Sequence, residues 1–219
     1  MSVSRRETRR QIRREAIINV ARISFFENGY AGTSMSSIAA SVGGSKTTLW
    51  SYFPSKEELF AAVLEEETRL FREEMLSLLT PDGRLEDTLR SFCRAFLRKV
   101  LSDKAMNLNH LVIAEARRFP ELGAIFYERA PKQSWLKIAE YMAQAMDRGQ
   151  LRRADPMVVA RHLLALCQSQ TQLLRLWNVL PLPTPEQMDA DVELALDAFF
   201  RAYGMPAKQD RPELCVGAE

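Results

Sequence analysis

The chain has 219 residues, of which 47% are apolar and 26% charged, so it can bury a sizeable core without disulfides and is no small disulfide-stapled scaffold. Cys93, Cys167 and Cys215 are odd in number and far apart, which points to a reducing cytosol and away from a cysteine metal site. No apolar run approaches the roughly 18 residues of a membrane span, and the N-terminus lacks the apolar block of a secretion signal, so a soluble cytoplasmic protein with no membrane partner is expected. The net charge of +2 is uninformative, but its distribution is not. Residues 1–56 hold nine basic and three acidic side chains, a net +6, and the remainder holds 21 against 25, a net −4. A basic head on an acidic body is the electrostatic footprint expected of a nucleic-acid partner.

In chain order, residues 5–28 read as a helix with Ile17, Ala21, Ser24 and Phe25 on one face and arginines crowding its first half, closed by Asn28-Gly29. Ser34 then caps a short helix whose inward positions are Met35, Ile38, Ala39 and Val42. Gly43 sits where that helix must stop, in a conformation glycine adopts without a side-chain clash. Ser45 caps the next helix. Leu49 is its inward anchor, which leaves Lys46, Thr47, Thr48, Trp50, Ser51 and Tyr52 for its other faces. One cation, several hydroxyls and two aromatics on an exposed helix suit a groove of phosphates and base edges. The whole is the outline of a helix-turn-helix. Pro54 breaks the second helix, and Ser55 with Glu58 reads as a capping box for the next.

The run IINVARISFFENGYAGTSMSSIAASVGGSKTTLWSYFPSKEELF, with Ala21, Phe25, Gly29, Tyr30, Thr33, Ile38, Ala39, Gly43, Leu49, Phe53 and Leu59 in order, resembles the N-terminal DNA-binding domain of the TetR family of bacterial transcriptional repressors. The resemblance implies base contacts for Lys46 and Thr47. Trp50 takes the place of a tyrosine that packs on sugar and base, and Ser34, Tyr52 and Lys56 are implied to sit on phosphates. Three departures stand out: Gly44 replaces an apolar residue under the turn, Ser37 an acidic capping partner, and Ser51 an aromatic or histidine near a phosphate.

The body reads as helices over 55–79, 85–101, 105–118, 120–149 with a break at Pro131, 156–180 and 185–203. They are separated by turn signals at 80–83, Phe119-Pro120, Gly149 and the loop PLPTP. Asp155-Pro156 and Thr184-Pro185 with Gln187 are strong helix starts. The expected fold is all-α with about nine helices. Residues 1–54 form a three-helix helix-turn-helix DNA-binding domain, 55–204 a larger helical ligand-binding and dimerisation domain, and 205–219 a disordered tail. The last two helices are apolar enough to pair with a second copy as a four-helix interface, or to be spent in one monomer's core.

In the resembling family, body helices surround a ligand cavity. That makes Phe92, Phe96, Met106, Phe126, Trp135 and Met142 candidates to line one for a hydrophobic effector, with His110 and Gln168 as its polar groups. No catalytic constellation, metal site or cofactor is expected. The implied function is a ligand-responsive homodimeric repressor on a palindromic double-stranded operator. Two rivals stay open: a DNA-binding regulator with a filled core, and a helical carrier that does not bind DNA.

Overall fold

The computed structural model describes residues 5–81 and 83–205. The expected tail, apart from Met205, and Asp82 of the turn at 80–83 lie outside the described residues. Ten α-helices make up the described chain: α1 (Arg5–Gly32), α2 (Met35–Val42), α3 (Lys46–Tyr52), α4 (Lys56–Ser77), α5 (Leu85–Val100), α6 (Asp103–Ala116), α7 (Pro120–Arg129), α8 (Pro131–Asp147), α9 (Pro156–Leu176) and α10 (Pro185–Tyr203). The tenth comes from Pro131, which fully separates α7 from α8 because its ring cannot continue a helix and it lacks an N–H.

Local chemistry sets most of the ends. Gly29 takes a left-handed φ of 72°, so the regular part of α1 stops where Asn28-Gly29 indicated and one further turn follows. Asp155 caps α9 by accepting from the N–H groups of Met157 and Val158. Thr184 and Gln187 form the full reciprocal capping box of α10. The box read at Ser55 is different: Ser55 Oγ accepts from Glu58 N at 3.1 Å, but the carboxylate turned back to the Ser55 hydroxyl is that of Glu57. Helix α9 ends at Leu176 rather than 180, and Ser169 interrupts it with φ 39° and ψ −142°.

Two apolar cores result. One gathers Ile17, Ala21 and Phe25 of α1, Ile38 of α2, Leu49 of α3 and Leu59 to Leu64 of α4, closed by Leu108, Val112 and Leu122 from α6 and α7. Its centre is aromatic: Phe60 meets Phe25 edge-on at 5.2 Å and Tyr30 at 5.4 Å, and Tyr30 meets Phe119 at 5.1 Å. The second core is built from α5, α8, α9 and α10 with Met75 of α4. Helix α4 therefore contributes to both. Val192, Ala195, Leu196 and Phe199 of α10 are buried inside this single chain, so most of the apolar stripe of α10 is already spent.

Phe60 is 1% exposed, and truncation there leaves a cavity that the two rings packed against it, Phe25 and Tyr30, cannot close. Phe60→Ala should cost about 3 to 5 kcal/mol, read as a fall in melting temperature by calorimetry, whereas Ile113→Ala, at a 59% exposed position, should leave the melt almost unchanged.

Candidate nucleic-acid interface

Helix α3 has seven residues and buries only Leu49. A helix this short is unstable alone, so its surroundings must hold it. Gly43 ends α2 in the left-handed conformation, φ 68°, and the Gly44 N–H donates to Ala39 O at 3.1 Å, which turns the chain sharply. Ser45 Oγ then accepts from Thr48 N at 3.1 Å and fixes the start of α3.

The three departures from the family pattern each have a local answer. No apolar side chain fills the space beside Gly44. The guanidinium of Arg13 from α1 does, since a Cβ on Gly44 would stand 2.6 Å from Arg13 Nη2, while the same nitrogen donates to Gly43 O at 3.3 Å. Ser37 substitutes for an acid in the cap of α2: Ser34 Oγ accepts from Ser37 N at 3.0 Å and Ser37 Oγ accepts from Ser34 N at 3.2 Å. Ser51 donates to Thr48 O at 2.7 Å, so its hydroxyl proton is turned onto its own helix.

Lys46, Thr47, Thr48, Trp50 and Ser51 are exposed together, as are Ser34 and Ser45 at the two helix starts. Trp50, 42% exposed, is a large apolar ring left in water on a helix that also carries a cation. Tyr52 is half-buried with Arg10 over its ring at 5.8 Å, and Arg14 lies over Phe53 at 5.4 Å. The arginines of α1 thus frame α3 rather than forming a separate tail. Lys56 is placed differently from the outward lysine the sequence suggests. Its ammonium sits 4.0 Å over the Tyr30 ring and 6.0 Å from that of Phe119, and burial pulls its pKa down. Beneath it Tyr30 donates to Glu57 at 3.0 Å. Burial and that bond push the tyrosine hydroxyl up, while a hydrogen bond from its own backbone N–H chiefly holds the Glu57 carboxyl low.

A cavity of about 220 Å³ opens further along α4. Phe96, Phe126, Trp135 and Gln168 line it together; Phe92, Met106, His110 and Met142 do not. Phe92 and Met142 are fully buried in the body core, and Met106 is buried as well. His110 Nε2 donates to Leu176 O at 2.6 Å, which ties α6 to the end of α9. The lining residues that pattern reading passed over include charged and amide-bearing ones: Glu67, Lys99, Lys104, Asn109 and Gln172. Glu67 had a signal, since it falls four and three residues after Val63 and Leu64 on the buried stripe of α4.

Comparison with known proteins places this geometry. Residues 17–63 match the family model for bacterial regulatory proteins of the tetR family, and residues 87–205 match the AefR-like transcriptional repressor C-terminal domain. The transcriptional regulator UidR of Escherichia coli K12 is 32% identical over 144 residues, covering 64% of this chain and 67% of its own. Among solved structures, the flavonoid-responsive regulator FrrA is 30% identical with a TM-score of 0.78, covering 90% of this chain and all of its own. A TetR-family regulator from Mesorhizobium loti is 25% identical with the same TM-score, covering 89% and 98%.

If Arg13 supports the turn, Arg13→Ala should lower stability by about 1 kcal/mol, the worth of its hydrogen bond, with hydrogen exchange accelerating first in the amides of residues 43–52. Uniform acceleration across the chain would contradict this local role.

Proposed function

This chain belongs to the TetR family of DNA-binding transcriptional regulators, and from that premise we propose that it is a ligand-responsive homodimeric repressor acting on a palindromic operator in the cytoplasm. The observation that carries the reading is the joint exposure of Lys46, Thr47, Thr48 and Trp50 on a helix framed by the arginines of α1. In this reading Lys46 and Thr47 address base edges, Trp50 packs on sugar and base, and Ser34, Ser45 and Tyr52 lie against phosphates. Lys56 reaches a phosphate only by leaving the Tyr30 ring, so its contribution is smaller than that of Lys46. Two chains carry two copies of α3, set about 34 Å apart to enter successive major grooves.

Residues 1–54 serve as the DNA-binding domain and 55–204 as the domain for ligand and dimerisation, with α4 crossing between them. The dimer face is the apolar surface left uncovered at the end of α9 and beyond it, together with Leu194 of α10. Leu173, Trp177 and Val179 are 44%, 61% and 61% exposed, and Leu194 is 72% exposed. Phe199 belongs to the monomer core and takes no part. The effector site is the cavity between Phe96, Phe126 and Trp135. A planar aromatic effector suits these rings, and the response of FrrA to flavonoids supports the same class. Described helices that could cross a membrane are absent, and no described group of side chains could hold a metal.

Lys46→Ala should weaken binding to the operator by about 1 to 3 kcal/mol and blur preference at one base pair, measured by fluorescence anisotropy on DNA from upstream of the gene. An equal loss on random duplex would contradict a base-reading role. Leu194→Glu with Trp177→Glu should shift sedimentation from dimer to monomer while circular dichroism is unchanged; a dimer that survives both would remove this face as the interface.

A further inference from the structure

The cavity carries formal charges that the candidate residues do not include. Its apolar floor is interrupted by one carboxylate and two ammonium groups, Glu67, Lys99 and Lys104. The Glu67 side chain is 9% exposed, and its two oxygens face opposite neighbours. Lys104 Nζ of α6 stands 2.6 Å from Oε2, and Arg22 Nε of α1 stands 3.7 Å from Oε1. The Lys104 contact lacks hydrogen-bond geometry, so a buried acceptor oxygen is left incompletely satisfied. Two cations against one anion leave the lining with a net charge of +1.

We propose, resting on the effector reading above, that this cavity selects an aromatic acid. The flat body lies among Phe96, Phe126 and Trp135, and the anionic group is held by Lys99 and Lys104. Burial first and the neighbouring Lys104 second lower the pKa of Lys99, against Glu67 and Glu74, which raise it; an anion between the two lysines would offset the lowering. A cationic ligand would meet two like charges for one partner, and a neutral one would leave the lowering in place. The acid competes with Glu67 for Lys104. When it wins, the Glu67 carboxylate is left to Arg22, so occupancy is felt on α1, the helix that frames α3.

The test uses two fluorescent probes with the same aromatic skeleton, 1-anilinonaphthalene-8-sulfonate and its uncharged parent N-phenyl-1-naphthylamine, titrated into the full chain. Lys99→Gln with Lys104→Gln should lower the affinity for the sulfonate relative to the parent about tenfold, the scale of one charge-assisted hydrogen bond. Glu67→Gln should tighten the sulfonate and leave the parent unchanged. An unchanged affinity ratio in the lysine variant, with both probes still expelled by the cavity-filling Ala105→Trp, overturns charge selection and leaves the effector site standing. Binding of both probes unaffected by Ala105→Trp, or no binding of either, overturns the effector site along with it.

Discussion

One helix has to satisfy two cores at once. Leu59, Phe60, Val63 and Leu64 of α4 are buried among the helices that hold α3, and Met75 is buried among α5, α8, α9 and α10. Between those segments the same helix presents Glu67 and Thr68 to the cavity. Close-packed interiors resist continuous deformation, so a displacement of α4 at the cavity cannot be absorbed locally without disturbing one core or the other. Thr68 and Arg72 also donate to Arg129 O, at 3.4 and 3.3 Å, which fastens α4 to the end of α7 on the cavity's rim.

The reading head is assembled on that strut with little apolar burial of its own. Leu49 anchors α3, two serine-capped starts satisfy its neighbourhood's open N–H groups, and Arg13 lends a guanidinium where an apolar side chain is missing. The compromise leaves the outer face of α3 exposed. It also makes α1 a working part of the site: its arginines stack on Tyr52 and Phe53, and its far end is held to the body by Glu115, which accepts from Ala31 N at 3.0 Å. Coupling of head to body thus runs through charged as well as apolar contacts.

Periodicity and capping chemistry made the helices legible, because Gly43, Asp155 and Thr184 each act within a few residues along the chain. The same locality explains the failures. At the start of α4 the carboxylate turned back to Ser55 is that of Glu57, which also accepts from Tyr30, 27 residues away. The Ser169 break has no glycine or proline to announce it. Aromatic and methionine positions on body helices were natural candidates for a pocket, but composition does not distinguish Phe96 at the cavity from Phe92 in the core one turn earlier. The charged lining was hidden for the opposite reason: scattered lysines and glutamates look like a solvated face until the fold brings α4, α5 and α6 together.

In the proposed mechanism α4 carries the link between cavity and reading helix. Electron spin distance measurement on the proposed homodimer, labelled at the exposed position Ala40→Cys in a Cys215→Ser background, reads that link. Operator DNA should narrow the label separation to one distance compatible with α3 copies about 34 Å apart, and saturating 1-anilinonaphthalene-8-sulfonate should move the distribution off that distance. A separation that is the same with DNA, with the aromatic acid and with neither would contradict the account.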